Sequence, residues 1–418
     1  MTRSTRHAEY VNSISFKEMR EALGDNFEDA LRMGLERFFA EMGLKLAEAI
    51  IDGEVQSLCG SKHSRKKDGQ AVRWGTQRGT VTIQGAKEKI AKPRVRTANG
   101  KEEIDLETYS ALNNQNVLNQ EILARLGSGV SIRQYKKTVS KHLKAHGVSR
   151  SAISRRVIES SKEALNDFLA RRWDKTSFVA LLFDGVHIGK THVVAALGID
   201  KSGNKHILGW QLGSTEHEIV CRDLLRKLLD AGLNTNSDYL FVIDGSKALR
   251  KAIRLVFGDQ SVIQRCQEHK IRDVEGYLPR NLRTKFRIRL QAAFNEKSFR
   301  RASQRLKQIR SDLHLISETA ANSLTEGMEE TLTLHKLGIS GGVRESLRTT
   351  NCIESAFARL RANTSHISNW SDSQQVERWL ALVFPKVESG FRKLPGFRQL
   401  SKLQKNVRAQ IALLCQNK

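Results

Sequence analysis

Three acidic residues of this chain stand where they could share a metal ion. Asp184 and Asp244 each close a short apolar run and precede a glycine, in FVALLFDG (178–185) and YLFVIDG (239–245). Glu354 lies in TTNCIESAFARLR (349–361), where Ile353, Phe357 and Leu360 predict a helix with Glu354 at the edge of its packed stripe. A carboxylate at the end of a buried strand is held rigidly, with its oxygens at the mouth of the sheet. Three such groups supply the anionic oxygens that a hard dication needs, and Lys or Asn could not replace them. Two Mg2+ ions held there, with Mn2+ as the alternative, could clamp the attacking and leaving oxygens of a phosphodiester. Asp184, Asp244 and Glu354 are therefore the expected catalytic residues and the expected metal ligands.

The elements around these acids follow a definite order. From 178 to 265 the sequence predicts strands at 178–184, 191–199 and 205–212, a helix at 216–231, a strand at 239–244, a helix at 246–257 and a strand at 261–265. SGN at 202–204 makes a turn, and Thr215 with Glu218 reads as a capping box. A three-stranded meander followed by α-β-α-β is the order of the ribonuclease H-like fold. Its first and fourth strands are neighbours, which would bring Asp184 and Asp244 together despite their distance in sequence. Glu354 follows Asp244 only after a long interval, so a charged helical block over 270–342 reads as an insertion. The fold class expected is α/β: a ribonuclease H-like catalytic domain with a helical insertion, preceded by a mainly α DNA-binding region.

That preceding region divides in three. Residues 1–70 read as helical from residue 17, with a basic linker at its end, and 71–110 as a basic β-hairpin region in which Arg94 and Arg96 could contact phosphate. Residues 111–173 read as a helix-turn-helix domain. Its first helix is expected over 131–143, with Ser131 as N-cap and Ile132, Tyr135, Val139 and Leu143 on one face. After a turn at 145–147, Ser149 caps a second helix that presents Arg150, Ser151, Ser154 and Arg155 where a recognition helix meets base edges. The catalytic domain is expected over 174–269 and, past the insertion, 343–385, with a basic tail at 386–418. Arg361, two helical turns beyond Glu354, is a further candidate contact to DNA.

Composition agrees with a polyanionic partner. Seventy Lys and Arg oppose 45 Asp and Glu across 418 residues, giving a net charge of +25. No run of 18 apolar residues points to a membrane. The first sixteen residues lack a continuous apolar segment, so no secretory signal is expected. Five scattered cysteines suit a reducing cytosol rather than a disulfide frame.

At this point the residues resemble a known family. FDGVHIGK, ALGIDKSGNKHILGWQLGSTEHE, VIDGSKALRKAIRLVFG, QRCQEHKIRD and RTTNCIESAFARLR, in this order over about 178–365, are similar to the Mutator-type transposases of bacterial insertion sequences, the IS256 family. The resemblance implies a DDE triad at Asp184, Asp244 and Glu354, divalent metal, and double-stranded DNA as substrate: the terminal inverted repeats of the element and a target. It implies a homodimer or higher assembly on that DNA, and a cytoplasmic, nucleoid-associated bacterial protein. The family's Cys-x2-His falls on Cys266 and His269, read as structural groups near the site rather than zinc ligands, since no second pair with ligand spacing follows. Two positions depart from the pattern: Val220-Cys221 where many relatives have Phe-Trp, and Arg272-Asp273 where many have Arg-Asn. The rival expectations are a nuclease or resolvase without strand transfer and a non-catalytic DNA-binding regulator.

Overall fold

The computed structural model describes residues 35–62, 71–139, 146, 148–235 and 238–416. The chain divides into two units, Met1–Ser161 and Lys162–Lys418.

In the first unit, helix α1 (Leu35–Cys59) buries Ala47, Ile51 and Val55 at helical spacing. They pack against Val81, Ile90 and Val95 of a sheet formed by β1 (Ala71–Ile83), β2 (Ala86–Thr97) and the short β3 (Glu103–Ile104). β1 and β2 form an antiparallel hairpin whose two-residue turn, Gln84-Gly85, has φ of 47° and 79°. Two positive φ angles give the turn that matches the twist of the flanking strands. Helices α2 (Glu107–Leu112) and α3 (Gln115–Leu126) follow. The helix expected from residue 17 lies outside the described residues as far as residue 34, and so does most of the 60–68 linker.

The first helix of the expected helix-turn-helix is not seen over its described part. Residues 135–138 form one 3-10 turn, and Val139 is extended, with ψ of 139°. Competing partners explain the difference. The Tyr135 hydroxyl donates to the Gly85 carbonyl at 3.0 Å, and Arg125 donates to the Thr138 carbonyl at 2.9 Å, an acceptor that a continuing helix would need. Residues 140–145 lie outside the described residues. The second helix is present as α4 (Arg150–Leu169), and Ser149 Oγ accepts the Ala152 N–H at 3.3 Å as expected of a cap.

The second unit is built on a five-stranded mixed sheet. β4 (Phe178–Ile188), β5 (Thr191–Asp200) and β6 (Lys205–Leu212) form the antiparallel meander. β7 (Leu240–Ile243) and β8 (Val262–Arg265) join in parallel, giving the order β6-β5-β4-β7-β8. The crossovers are α5 (Glu218–Asp230) and α6 (Lys247–Phe257). Their stripes, Leu224, Leu225 and Leu228, then Leu249, Ala252 and Ile253, cover the face that displays Leu181, Phe183, Phe241 and Ile243. The expected capping box is absent: α5 begins after His217, and the Thr215 carbonyl instead accepts the Ser246 hydroxyl at 2.5 Å.

After β8 comes a helical excursion: α7 (Gln267–Gly276), α8 (Arg280–Phe294), α9 (Phe299–His314), α10 (Glu318–Thr325), the short α11 (Met328–Thr331) and α12 (Thr333–Lys336), and α13 (Gly341–Leu347). It has a core of its own around Ile271, Phe286, Leu290, Leu306 and Leu324. The excursion closes at its base, where the Gln267 N–H donates to the Arg348 carbonyl at 3.0 Å. α14 (Asn351–Thr364), α15 (Ser373–Ser389) and α16 (Leu400–Gln416) complete the chain. α14 packs on β4 and α15 on β6, where Trp210 and Phe384 have ring centroids 5.6 Å apart. No described helix is long and apolar enough to cross a membrane.

A buried ionic cluster ties the excursion to the sheet. Arg265, only 2 % exposed, donates to Glu330 at 2.6 Å and to Glu326 at 2.7 Å. Arg250 of α6 reaches the other oxygen of Glu330 at 2.6 Å, and Lys270 lies 3.4 Å from Glu326.

Candidate active site

Sheet register brings the two aspartates together. β4 and β7 pair Ala180 with Leu240 and Leu182 with Val242. Continued by two residues, this register sets Asp184, within β4 and four residues before its end, abreast of Asp244, just past the end of β7. Side chains alternate along a strand. Leu181, Phe183, Phe241 and Ile243 point into the α5–α6 core, so Asp184 and Asp244 follow the opposite parity, that of the face on which α14 packs.

Local chemistry fixes each acid. Asp184 is 6 % exposed and accepts the Gly185 N–H at 2.8 Å. A Cβ at Gly185 would stand 3.2 Å from the Thr215 methyl, so the glycine leaves room for the segment that crosses there. Asp244 accepts the Ser246 N–H at 2.9 Å, and Ser246 caps α6 by accepting the Leu249 N–H at 3.1 Å. The Asp-Gly-Ser turn thus holds the carboxylate and starts the helix.

The electrostatics are those of an acid-rich pocket. Burial pushes Asp184 up to about 7; the charges of Asp244 and Glu354 add to the rise, while His269 and the Gly185 N–H oppose it. Burial also raises Asp244, and Asp273 adds to it against the Ser246 N–H, His269 and Arg265. His269 is pushed up to about 9, first by its hydrogen bond with Cys266 and then, against burial, by the charges of Cys266, Asp184 and Asp244.

Glu354, in the first turn of α14, keeps 31 % of its side chain exposed. Its Oε1 accepts the Thr350 hydroxyl at 3.1 Å and lies 3.9 Å from His269 Nε2. Thr350 Oγ1 is itself 3.5 Å from His269 Nδ1 and 3.6 Å from Cys266 Sγ. Cys266 caps α7, its sulfur accepting the His269 N–H at 3.5 Å. Cys266 and His269 therefore link the start of the excursion to the helix that carries Glu354.

The donor set suits a hard dication: three carboxylates, of which Asp184 is buried and Asp244 half-buried, both raised by burial and acidic neighbours. They do not close on one point. Among the described residues no group of three His, Cys, Asp or Glu side chains stands close enough to hold an ion. Glu354 is turned to Thr350 and His269 instead.

A cleft of about 410 Å3 opens beside Asp244, lined also by Thr215, Lys247, His269 and Asp273 among others. Lys247 and Asp273 were not among the expected site residues, nor was Thr350. Asp273 could have been found, since it follows His269 by four residues and so shares its face of α7. Nothing in the sequence singles out Thr350.

The expected DNA contacts have varied surroundings. Arg150, Ser151 and Arg155 are exposed in the first turns of α4, and Ser154 is half-buried. Arg361 is exposed on α14. Arg94 is engaged inside its sheet, in a two-pronged contact with Glu103 at 3.1 and 2.6 Å. Arg96 donates to the Gly100 carbonyl at 3.0 Å and lies 4.6 Å over the Trp74 ring.

Comparison with known proteins gives a consistent answer. A family profile described as "Transposase, Mutator family" matches residues 17–393. The chain is 26 % identical over 333 residues to the transposase for insertion sequence element IS256 in transposon Tn4001 of Staphylococcus aureus, covering 77 % of this chain and 82 % of that one. It is 29 % identical over 224 residues to the transposase for IS6120 of Mycolicibacterium smegmatis, covering 52 % and 68 %. It is 23 % identical over 274 residues to the transposase for IS905 of Lactococcus lactis, covering 64 % and 68 %. The chain belongs to the Mutator family and is an insertion-sequence transposase.

Proposed function

We propose that this transposase cuts and joins DNA by metal-assisted in-line phosphoryl transfer at Asp184, Asp244 and Glu354, on a ribonuclease H-like domain. The observation that carries the proposal is the parallel β4–β7 register, which supports a buried Asp184 and a half-buried Asp244 side by side on the parity of the α14 face. Asp184 and Asp244 would hold Mg2+, or Mn2+, with Glu354 joining from α14. When bound, the ion supplies Lewis-acid polarisation of the phosphodiester and activation of the attacking oxygen.

The chain's own residues do the rest. Asp184 and Asp244 offer acceptor-only oxygens once deprotonated. The His269 imidazolium offsets their repulsion until a cation arrives. Lys247, on the cleft wall, offers a cation to the phosphate backbone. The exposed start of α4, with Arg150, Ser151, Ser154 and Arg155, is the element we assign to reading the terminal inverted repeats, and Arg361 to a contact near the cut. Two ends must be held together, so the working form is a dimer or larger assembly.

The test uses duplexes that carry the terminal repeats. Asp244→Ala should still bind them but lose Mg2+-dependent nicking by roughly a thousandfold or more. Nicking that survives in this variant overturns the assignment. Precleaved ends with a free 3′-OH, given to the unaltered protein, should be joined to target DNA. Cleavage without joining would favour a nuclease or resolvase.

A further inference from the structure

We propose that the outer flank of α9, in the helical excursion, is a docking track for the sugar–phosphate backbone of duplex DNA. The inference rests on DNA being the substrate, and it adds a surface on the excursion to the contacts assigned above.

Charge is concentrated there. Residues 280–310, which span α8 and most of α9, hold eleven Lys and Arg against one acid, Glu296. This short stretch therefore carries a net charge of +10, from a chain whose total is +25. A solvated surface needs both signs, and an excess this local repels itself unless a polyanion answers it.

The two flanks of α9 differ in how that charge is met. Arg305 and Asp312, seven residues apart, share the flank towards α8. Arg305 pairs with Glu296 at 2.8 Å, and Asp312 pairs with Arg289 of α8, so this flank, Arg301 apart, is answered from within. Arg300, Lys307 and Arg310 fall on the other flank, at i, i+7 and i+10 of one helical face. All three are exposed, and none has an ion pair among the described residues. Glu329 of α11 is within electrostatic reach of Lys307, but it is itself paired with Lys336 at 2.8 Å. The residues between the three cations on that flank are Ser303, Ser311 and His314, with no acid.

Geometry favours a nucleic-acid strand over a compact anion. Ten residues of helix advance about 15 Å. A DNA strand places about four phosphates in that length, at roughly 3.4 Å of axis each. Three long cations in line can follow such a strand. A single phosphate group would use only one of them.

The test is a salt titration of binding to a duplex of arbitrary sequence, with the full chain and without divalent metal. The triple variant Arg300→Gln, Lys307→Gln, Arg310→Gln changes exposed side chains only. Its log K against log salt slope should be shallower by about 2 to 3, one step per lost phosphate contact. The double variant Arg300→Lys, Arg310→Lys should keep the slope. An unchanged slope in the triple variant overturns the proposal, and so does a change seen with single-stranded DNA but not with the duplex. Because no metal is present, this result stands apart from the catalytic assignment. Normal nicking with an unchanged slope sinks the track alone.

Discussion

Two groups of acids lie near the ends of neighbouring strands, and their surroundings give them opposite characters. Among the described residues, Asp184 and Asp244, on β4 and β7, have no arginine or lysine within ion-pairing distance, and burial drives their pKa values up. Glu326 and Glu330, beside Arg265 at the end of β8, are met by cations from three elements. Burial works against Glu326 too, yet its hydrogen bond to Arg265, and Arg265 and Lys270 as charges, outweigh it and hold its pKa below the usual range. The same side-chain chemistry serves as a staple where the protein supplies the counter-charge. Where the protein withholds most of it, the acids are left to be answered by something that binds.

The contrast can be tested by altering either side. The largest effect should come from the staple. Arg265→Met leaves Glu330 and Glu326 short of a buried partner and should cost about 3 kcal/mol in chemical denaturation. A loss below about 1 kcal/mol would mean that water, not Arg265, satisfies these acids.

On the other side the sign should reverse. Asp184→Asn removes a charge that is held at a cost and should stabilise the metal-free protein at pH 8 by about 2 kcal/mol, while cleavage is lost. If Asn destabilises instead, the pocket is not short of positive charge.

The pH dependence sharpens this further. A carboxyl raised to about 7 contributes stability that is complete below its unfolded pKa and is lost as pH rises through 7. His269, raised to about 9, contributes stability that is complete below about 6.5 and is lost as pH rises through 9. Metal-free melting temperature should therefore fall from pH 4 to pH 7 and again towards pH 9, and Asp184→Asn should shrink the first fall, leaving the share that belongs to Asp244. On the proposed assignment magnesium would compete with the Asp184 proton, and its affinity should weaken by up to about tenfold per pH unit below 7. Calorimetry in buffers of different ionisation heat would show whether protons leave as the metal binds.

The smallest effect concerns the anchor of the third acid. Thr350→Val removes the hydroxyl that Glu354 accepts and should cost about 1 kcal/mol, recovered in Thr350→Ser. Equal losses in both variants would show that shape, not the hydroxyl, holds Glu354.

Much of the site was legible in the sequence because it depends on local pattern. An apolar run that ends in Asp-Gly does mark the end of β7 at Ile243, whereas β4 runs on past the expected end at Asp184 to Ile188; the meander followed by α-β-α-β makes β4 and β7 neighbours. The α14 stripe of Ile353, Phe357 and Leu360 could be read in the same way. The misses depend on distant partners. Arg265 reads as a solvated strand end, and only folding brings Glu326 and Glu330 to it from 61 and 65 residues away. The helix expected at 131–143 has sound periodicity, yet Arg125 takes the Thr138 carbonyl it needed, and the Gly85 carbonyl anchors the Tyr135 side chain. Arg94 looked free until β3 brought Glu103 beside it.

The hydrogen bond between Gln267 and Arg348 at the foot of the excursion has a bearing on the order of events during synthesis. Both aspartates leave the ribosome well ahead of the glutamate, with the whole excursion still to be made. At bacterial elongation rates that is a wait of about 5 to 20 seconds. In that interval the nascent polypeptide has both strand-end acids and no partner for them on α14. Only when the helices between have been made can the two feet of the excursion meet and α14 settle on the sheet. On the proposed assignments, a truncated product ending between residues 340 and 350 would carry the excursion's arginines without the third acid, and could occupy DNA without cutting it.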